Sequence, residues 1–210
     1  MKIGIIGATG KQGYFLTEQA ITRGHDVTAL IRNASKLKFD IPYIEKDILD
    51  IQREDIQDFD VVICAFRAPQ GHEDLYISVT NHLADLVKGT SIRLMFVGGA
   101  GRLYLDKNKT KRVVDNRGIP SSMRPTVENM VKAYEALTQT QDVNWTYVSP
   151  SGNFDFNGPE TGEYRIGTDY ILTNNNGESY VSYKDYSLAF LDEVEKNEHP
   201  NQGIMVVSNS

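Results

Sequence analysis

One cysteine, one tryptophan and four histidines stand in a chain of 210 residues. Cys64 alone excludes a disulfide framework, and its place at the end of an apolar run predicts a buried thiol in a reducing compartment, the cytoplasm. No apolar run approaches the roughly 18 residues that read as a bilayer span. The chain also opens on a strand-like segment in place of a charged leader, so neither membrane insertion nor export is expected. Positive charge is short as well: 22 Lys and Arg face 28 Asp and Glu, a net charge of -6 that offers no footprint for nucleic acid. The basic run Lys107, Lys109, Lys111 and Arg112 is read as a solvated loop. No histidine shares a ligand spacing with Cys, carboxylates or another His, so no metal is expected.

What is present is an alternation of two patterns. Apolar runs rich in Ile and Val recur at Lys2–Ile6, Val27–Ile31, Val61–Ala65, Leu94–Val97 and Thr146–Val148, with a weaker one at Tyr43–Glu45. Their hydrophobicity is continuous rather than alternating, which predicts strands covered on both faces. Between them lie helical patterns from Gln12 to Arg23, Asp74 to Lys88 and Val127 to Thr140, with a short one at Arg53–Gln57. Strand–helix alternation of this length predicts α/β architecture, a doubly wound parallel sheet with helices on both faces, in one domain spanning 1–210. The core is expected over about 1–150 and a small substrate-side elaboration over about 151–210. In that last part Glu163–Ile166 and Tyr170–Thr173 could form a hairpin. Ser182 and Asp185 resemble a capping box opening a helix through Leu188, Leu191 and Val194, and Ile204–Val207 reads as a closing strand.

The first strand runs into Gly7-Ala8-Thr9-Gly10-Lys11-Gln12-Gly13, three glycines at intervals of three where a helix opens. Gly7 suits a tight turn, Gly10 lets backbone approach a pyrophosphate, and Gly13 permits close helix–strand packing. The helix N-terminus adds free N–H groups and a partial positive charge, worth about 0.3–2 kcal/mol toward an anion. This context predicts a nicotinamide dinucleotide. The second strand ends in Arg32, 19 positions beyond Gly13, where an acid would select the ribose hydroxyl of NADH. An arginine there predicts NADPH, its guanidinium bonding the 2′-phosphate, with NADH possible and a plain exposed strand-end arginine as the alternative. Lys11 could assist or be merely solvated.

Further candidates stand at the ends of later strands, where ligands of open α/β sheets collect. Asp47 and Ile48 could border the adenine, or Asp47 could simply cap a helix. Ala65-Phe66-Arg67 and Gly98-Gly99-Ala100-Gly101 end the fourth and fifth strands, and the glycines imply close passage of backbone or a plain loop.

Together with Val148-Ser149-Pro150-Ser151 and the late run Gly177 to Tyr186, these residues resemble the NADH-flavin reductases, an atypical short-chain dehydrogenase-like group. The group is similar to the smaller biliverdin-reductase and flavin-reductase type and, more distantly, to NmrA-like proteins. The resemblance runs nearly the whole chain. It implies a Rossmann fold, nicotinamide binding, Pro150 beside the cofactor, and reduction of a flavin or quinone that binds as substrate and not as a tightly held cofactor. It also implies substrate contacts at Phe66, Arg102, Ser151 and Phe154. Arg102 departs from the serine common at that position, which points to a different acceptor.

Ordinary short-chain dehydrogenases pair a Tyr with a Lys four residues on. Tyr180 and Lys184 have that spacing but fall beyond the sixth strand, and Tyr134 has Thr138 as its partner. A conjugated acceptor asks for less, since it spreads the incoming charge and positioning can do most of the work. Phe66, Phe154 or Phe156 could stack on it or belong to the core. His72 is a weak candidate proton donor, and a loop histidine can equally be only exposed; His82 reads as structural. The expectation is an NADPH-dependent oxidoreductase acting on a small-molecule electron acceptor, as monomer or homodimer. The alternative is an NmrA-like sensor that reads the nicotinamide pool and signals to a protein partner without turnover.

Overall fold

The computed structural model describes residues 1–209. Its strands are β1 (Lys2–Ile6), β2 (Asp26–Ile31), β3 (Tyr43–Glu45), β4 (Val61–Cys64), β5 (Arg93–Val97), β6 (Asn144–Ser149), β7 (Asn153–Asp155), β8 (Tyr164–Gly167), β9 (Tyr180–Ser182) and β10 (Gln202–Ser208). The helices are α1 (Lys11–Thr22), α2 (Arg53–Ile56), α3 (Leu75–Val87), α4 (Arg124–Thr138) and α5 (Tyr183–Lys196). Eight strands form one sheet in the order β3-β2-β1-β4-β5-β6-β10-β8, parallel except for β8, and β7 pairs with β9 separately. The reversal of strand order beside β1 marks the crevice where a ligand of such a sheet lies. None of the described helices is long and apolar enough to cross a membrane.

The continuous apolar runs are explained by burial on both faces. In β1, Ile3 and Ile5 pack with Leu16, Ala20, Phe190 and Leu191 of α1 and α5. Ile6 turns to the other layer, with Leu83 and Val87 of α3 and Leu137 of α4. In β4 the same alternation sends Val61 and Ile63 one way and Val62 and Cys64 the other. Each strand residue therefore removes apolar surface from water whichever way it points.

The expected hairpin after Glu163 is not formed. β8 pairs antiparallel with β10, the closing strand, and Tyr170 instead bridges Tyr104 while Ile171 N–H donates to the Tyr104 carbonyl at 2.8 Å. The edge that a local hairpin would use is taken by a partner some forty residues later in the chain. The basic run after Leu105 differs too: Lys109 meets Asp169 at 2.6 Å and Arg112 meets Glu135 at 2.7 Å, so these cations pin the loop to its neighbours.

Candidate functional site

The turn after β1 is built by hydrogen bonds that only its glycines allow. Gly7 has φ +81°, and its N–H donates to the Leu30 carbonyl at 3.1 Å while its carbonyl accepts from Gly10 N–H at 2.8 Å. A Cβ at Gly13 would lie 2.1 Å from the Gly7 carbonyl oxygen, so α1 seats directly on the strand end. Gly10 is the N-cap of α1 and has no side chain to cap the helix, which leaves the first N–H groups facing outward with their partial positive charge. Around this turn opens a cleft of about 210 Å³.

Its walls bring together most of the strand-end residues singled out above: Gly7, Thr9, Gly10, Arg32, Ile48, Ala65, Phe66 and Arg67. Two further cations line it, Lys36 and Lys46, and among the described residues no carboxylate does. Lys36 comes from a 3-10 turn at Ala34–Lys36 whose start is capped by Asn33, the amide oxygen accepting from Ser35 N–H at 3.0 Å. Lys46 follows β3 and is held by both Asp55 carboxylate oxygens at 2.7 Å. The Arg32 side chain is 68% exposed, with Asp47 4.0 Å away. Asp47 is also the cap of a 3-10 turn at Ile48–Asp50, accepting from Leu49 N–H at 3.1 Å, and its neighbour Ile48 supplies an apolar wall. Arg67 is exposed and makes no hydrogen bond or ion pair with the described residues.

Other candidates have partners within the protein. Ala8 is buried in the core, and Gln12 is 8% exposed, its Nε2 donating inward to Ser187 Oγ at 2.7 Å. Lys11 lies over the Phe156 ring at 4.6 Å. Gly98 and Gly99 pass close to protein: a Cβ at Gly98 would sit 2.1 Å from the Tyr147 ring, and one at Gly99 3.1 Å from the Met130 sulfur. Gly99 N–H donates to the Tyr147 hydroxyl at 3.2 Å, and burial pushes that phenol up to about 12. Pro150 is buried behind this segment.

Arg102 and Ser151 are occupied by structure. Arg102 is 4% exposed and donates to Ser149 Oγ at 2.9 Å, the Thr168 carbonyl at 2.9 Å and the Ile204 carbonyl at 2.8 Å, with its guanidinium over the Tyr134 ring. Burial lowers its pKa, yet an arginine stays charged and ties β6 to β10. Ser151 is buried and donates to the Val206 carbonyl at 2.7 Å. Phe154 is covered on its face by Tyr183, the two rings stacked at 4.0 Å. His72 lies in an exposed turn, its backbone N–H donating to the Pro69 carbonyl. His82 Nε2, on α3, donates to the Ile51 carbonyl at 3.0 Å, a structural contact. Away from the cleft, Glu193, Glu198 and His199 cluster, but Glu193 is already bound by the buried Arg93 and by His199 Nδ1.

The cleft residues that the sequence reading missed are Lys36 and Lys46. Lys36 had a usable signal, four positions after Arg32 and just beyond an Asn-Ala-Ser turn; Lys46 had none before the register of β3 was known.

A profile of NAD(P)H-binding proteins matches residues 7–186 of the chain. The uncharacterised YwnB protein of Bacillus subtilis is 44% identical over 210 residues, covering 99% of each chain. Among solved structures, a Streptococcus pneumoniae protein provisionally named an NADH-flavin reductase is similar, with 34% identity, a TM-score of 0.95 and 99% of both chains covered. So is a Bacteroides thetaiotaomicron protein provisionally named an epimerase, at 30% identity and a TM-score of 0.89 over 100% of this chain and 97% of that one.

Proposed function

The chain belongs to the NAD(P)H-binding family, and on that premise we propose that it is an oxidoreductase that uses NADPH to reduce a flavin, quinone or similar conjugated acceptor. The observation that carries the reading is the charge of the cleft. Arg32, Lys36, Lys46 and Arg67 line it without a carboxylate, in a protein whose net charge is -6. Cations gathered against the overall charge, around an uncapped helix N-terminus and a glycine turn with no Cβ in the way, fit a ligand rich in phosphate. Gly10 and the first turn of α1 would hold the pyrophosphate, Ile48 would flank the adenine, and Arg32 with Lys36 would take the 2′-phosphate.

When bound, the dinucleotide supplies a hydride at its nicotinamide ring. The protein's part is to orient the dinucleotide, with Phe66 and Arg67 in the wall of the cleft. The Tyr–Lys apparatus of alcohol oxidation is not assembled at this cleft: Tyr180 gives its hydroxyl to Asp155 at 3.2 Å, and Tyr134 has Thr138 one turn later. That favours an acceptor whose conjugated system spreads the added charge. The name carried by the similar Streptococcus pneumoniae protein supports the same class.

The test is NADPH oxidation by purified protein with excess FMN, set against NADH and the Arg32→Ala variant. Saturable turnover favouring NADPH is expected, with Arg32→Ala weakening NADPH by about 1.5–3 kcal/mol, the worth of a hydrogen bond to a charged group, while sparing NADH. Equal losses for both cofactors would remove the 2′-phosphate assignment. Tight NADPH binding with no turnover above the protein-free rate would remove flavin reduction.

A further inference from the structure

The cleft at the glycine turn, about 210 Å³, is smaller than the roughly 300–1,000 Å³ of an ordinary small-molecule site, so it holds part of a dinucleotide and not the whole. Sheet order gives the direction in which the rest extends. β2 and β3 lie on one side of β1 and β4 on the other, so a ligand with its adenine at Ile48 and its pyrophosphate at Gly10 carries its nicotinamide past the end of β4. The wall at that end is Ala65, Phe66 and Arg67. Arg67 also lines a second cleft, of about 510 Å³, which opens between the loop after β4 and the start of α4.

The second cleft is lined differently from the first. Arg67 is its one cation among the described residues. Pro69 and Met123 give it apolar walls; Met123 is 55% exposed, and its flexible thioether is of the kind that packs on aromatic rings. Gln70, Ser122 and Thr126 line it with polar side chains that make no hydrogen bond with the described residues. The one acid in its lining, Glu73, turns both carboxylate oxygens to Gly71 N–H, at 3.1 and 3.0 Å, and does not pair with Arg67. Apolar walls, a few unengaged polar groups and a single cation suit a flat ring with polar edges better than a chain of phosphates.

We propose that this second cleft seats the electron acceptor, a flavin-like conjugated ring, with the Arg67 guanidinium at the junction of the two clefts facing the ring edge on which negative charge collects. The proposal rests on the reductase reading above and says where that acceptor lies. In the transfer, a C–H bond of the reduced nicotinamide breaks and its hydrogen, with both electrons, bonds to the acceptor ring. The nicotinamide is left oxidised and the acceptor is left as an anion. A guanidinium does not give up its proton, so Arg67 stabilises that anion, and the proton that neutralises it comes from water. Arg67 is exposed, so water reaches this junction.

FMN binding to protein saturated with NADP+, read by quenching of flavin fluorescence, tests this in wild type, Ser122→Leu and Thr138→Leu. Ser122 is exposed and unbonded, so leucine there fills the cleft without loosening the fold. Thr138 lines a separate cleft at the other end of α4 and takes the same bulk as a control. Ser122→Leu is expected to weaken FMN about tenfold, with the affinity for NADPH alone unchanged and Thr138→Leu silent. At saturating NADPH, Arg67→Gln should lower kcat for FMN about tenfold, less than the roughly hundredfold of a donor shut away from water, because Arg67 is exposed. Equal FMN affinity in wild type and Ser122→Leu, no FMN binding to the NADP+ complex at all, or an unchanged kcat in Arg67→Gln overturns the proposal. Equal turnover of FMN by wild type and Ser122→Leu at low FMN overturns it while leaving the reductase reading intact. FMN binding that Ser122→Leu weakens, without wild-type turnover, would instead overturn the reductase reading and leave the ring site standing.

Discussion

At the scale of single residues, the three glycines of the turn do different work, and substitution should separate them. Gly13 faces backbone: a methyl group there would meet the Gly7 oxygen at 2.1 Å and the Gly7 carbonyl carbon at 2.7 Å, atoms that move only if α1 leaves the end of β1. Gly10 is freer, since its Cβ would approach only the Gly7 oxygen, at 3.2 Å, and its other side opens on the cleft. Gly13→Ala should therefore cost about 1–3 kcal/mol of folding stability, as overpacking does, and lower NADPH affinity as the helix shifts. Gly10→Ala should cost less than this, under about 1 kcal/mol for alanine in place of an N-cap glycine, and weaken NADPH all the same, because the methyl stands where phosphate approaches. Urea unfolding and a cofactor titration on each variant check both halves; a Gly10→Ala protein that binds normally would move the pyrophosphate away from this turn. Arg102 shows the opposite case, a residue whose charge reads as functional in the sequence but which is consumed by Ser149, Thr168 and Ile204.

At the scale of elements, α5 shows how much of a sequence signal survives folding. Ser182 does cap the helix, its hydroxyl accepting from Asp185 N–H at 3.0 Å. The reciprocal half of the box is absent: Asp185 turns its carboxylate to Thr161 N–H at 2.8 Å, Gly162 N–H at 3.0 Å and the Ser208 hydroxyl at 2.7 Å, stitching the loop before β8 and the end of β10 to α5. Ser182→Ala should cost about 1 kcal/mol, the usual worth of an N-cap, read as a lower urea midpoint with unchanged slope. A larger loss would mean the hydroxyl also supports β9. The same contrast governs what was legible. β1, β2, β4, β5 and β6 announce themselves because a strand buried on both faces is apolar on successive positions, and α1, α3 and α4 because their periods fit between them. Tyr170–Thr173 misleads because its partner is decided by Tyr104 and by the prior claim of β10 on β8, contacts that no local pattern encodes. At the site, Gly7, Gly10, Arg32, Ala65, Phe66 and Arg67 are readable since each stands at a fixed place beyond a strand end. Lys46 is not, because its place depends on the register of β3.

At the scale of the whole molecule, two properties follow from where charge is kept out and where it is collected. The apolar layer around Cys64 keeps it out: burial pushes the Cys64 thiol from 9.0 up to about 12. A group whose folded pKa is raised gives its full stability below the unfolded value and loses it as pH climbs from 9 toward 12, so at pH 10 the thiol alone should remove about 1.4 kcal/mol. Cys64→Ala should therefore show a smaller drop in stability between pH 8 and pH 10 than wild type, by about that amount. The cleft does the reverse, holding Arg32, Lys36, Lys46 and Arg67 on a chain of charge -6. A 2′-phosphate adds about 1.5–2 negative charges to the ligand, and these would sit at the exposed Arg32 end, where salt within a Debye length of about 8–10 Å screens them well. Raising salt from 50 to 500 mM should weaken NADPH more steeply than NADH, so that the preference for NADPH narrows. In Arg32→Ala the two slopes should draw together, since the cation most exposed to salt is gone. Parallel slopes for the two cofactors in wild type would mean that the discrimination is made by shape and not by this collected charge, and the role of Arg32 with it would fall.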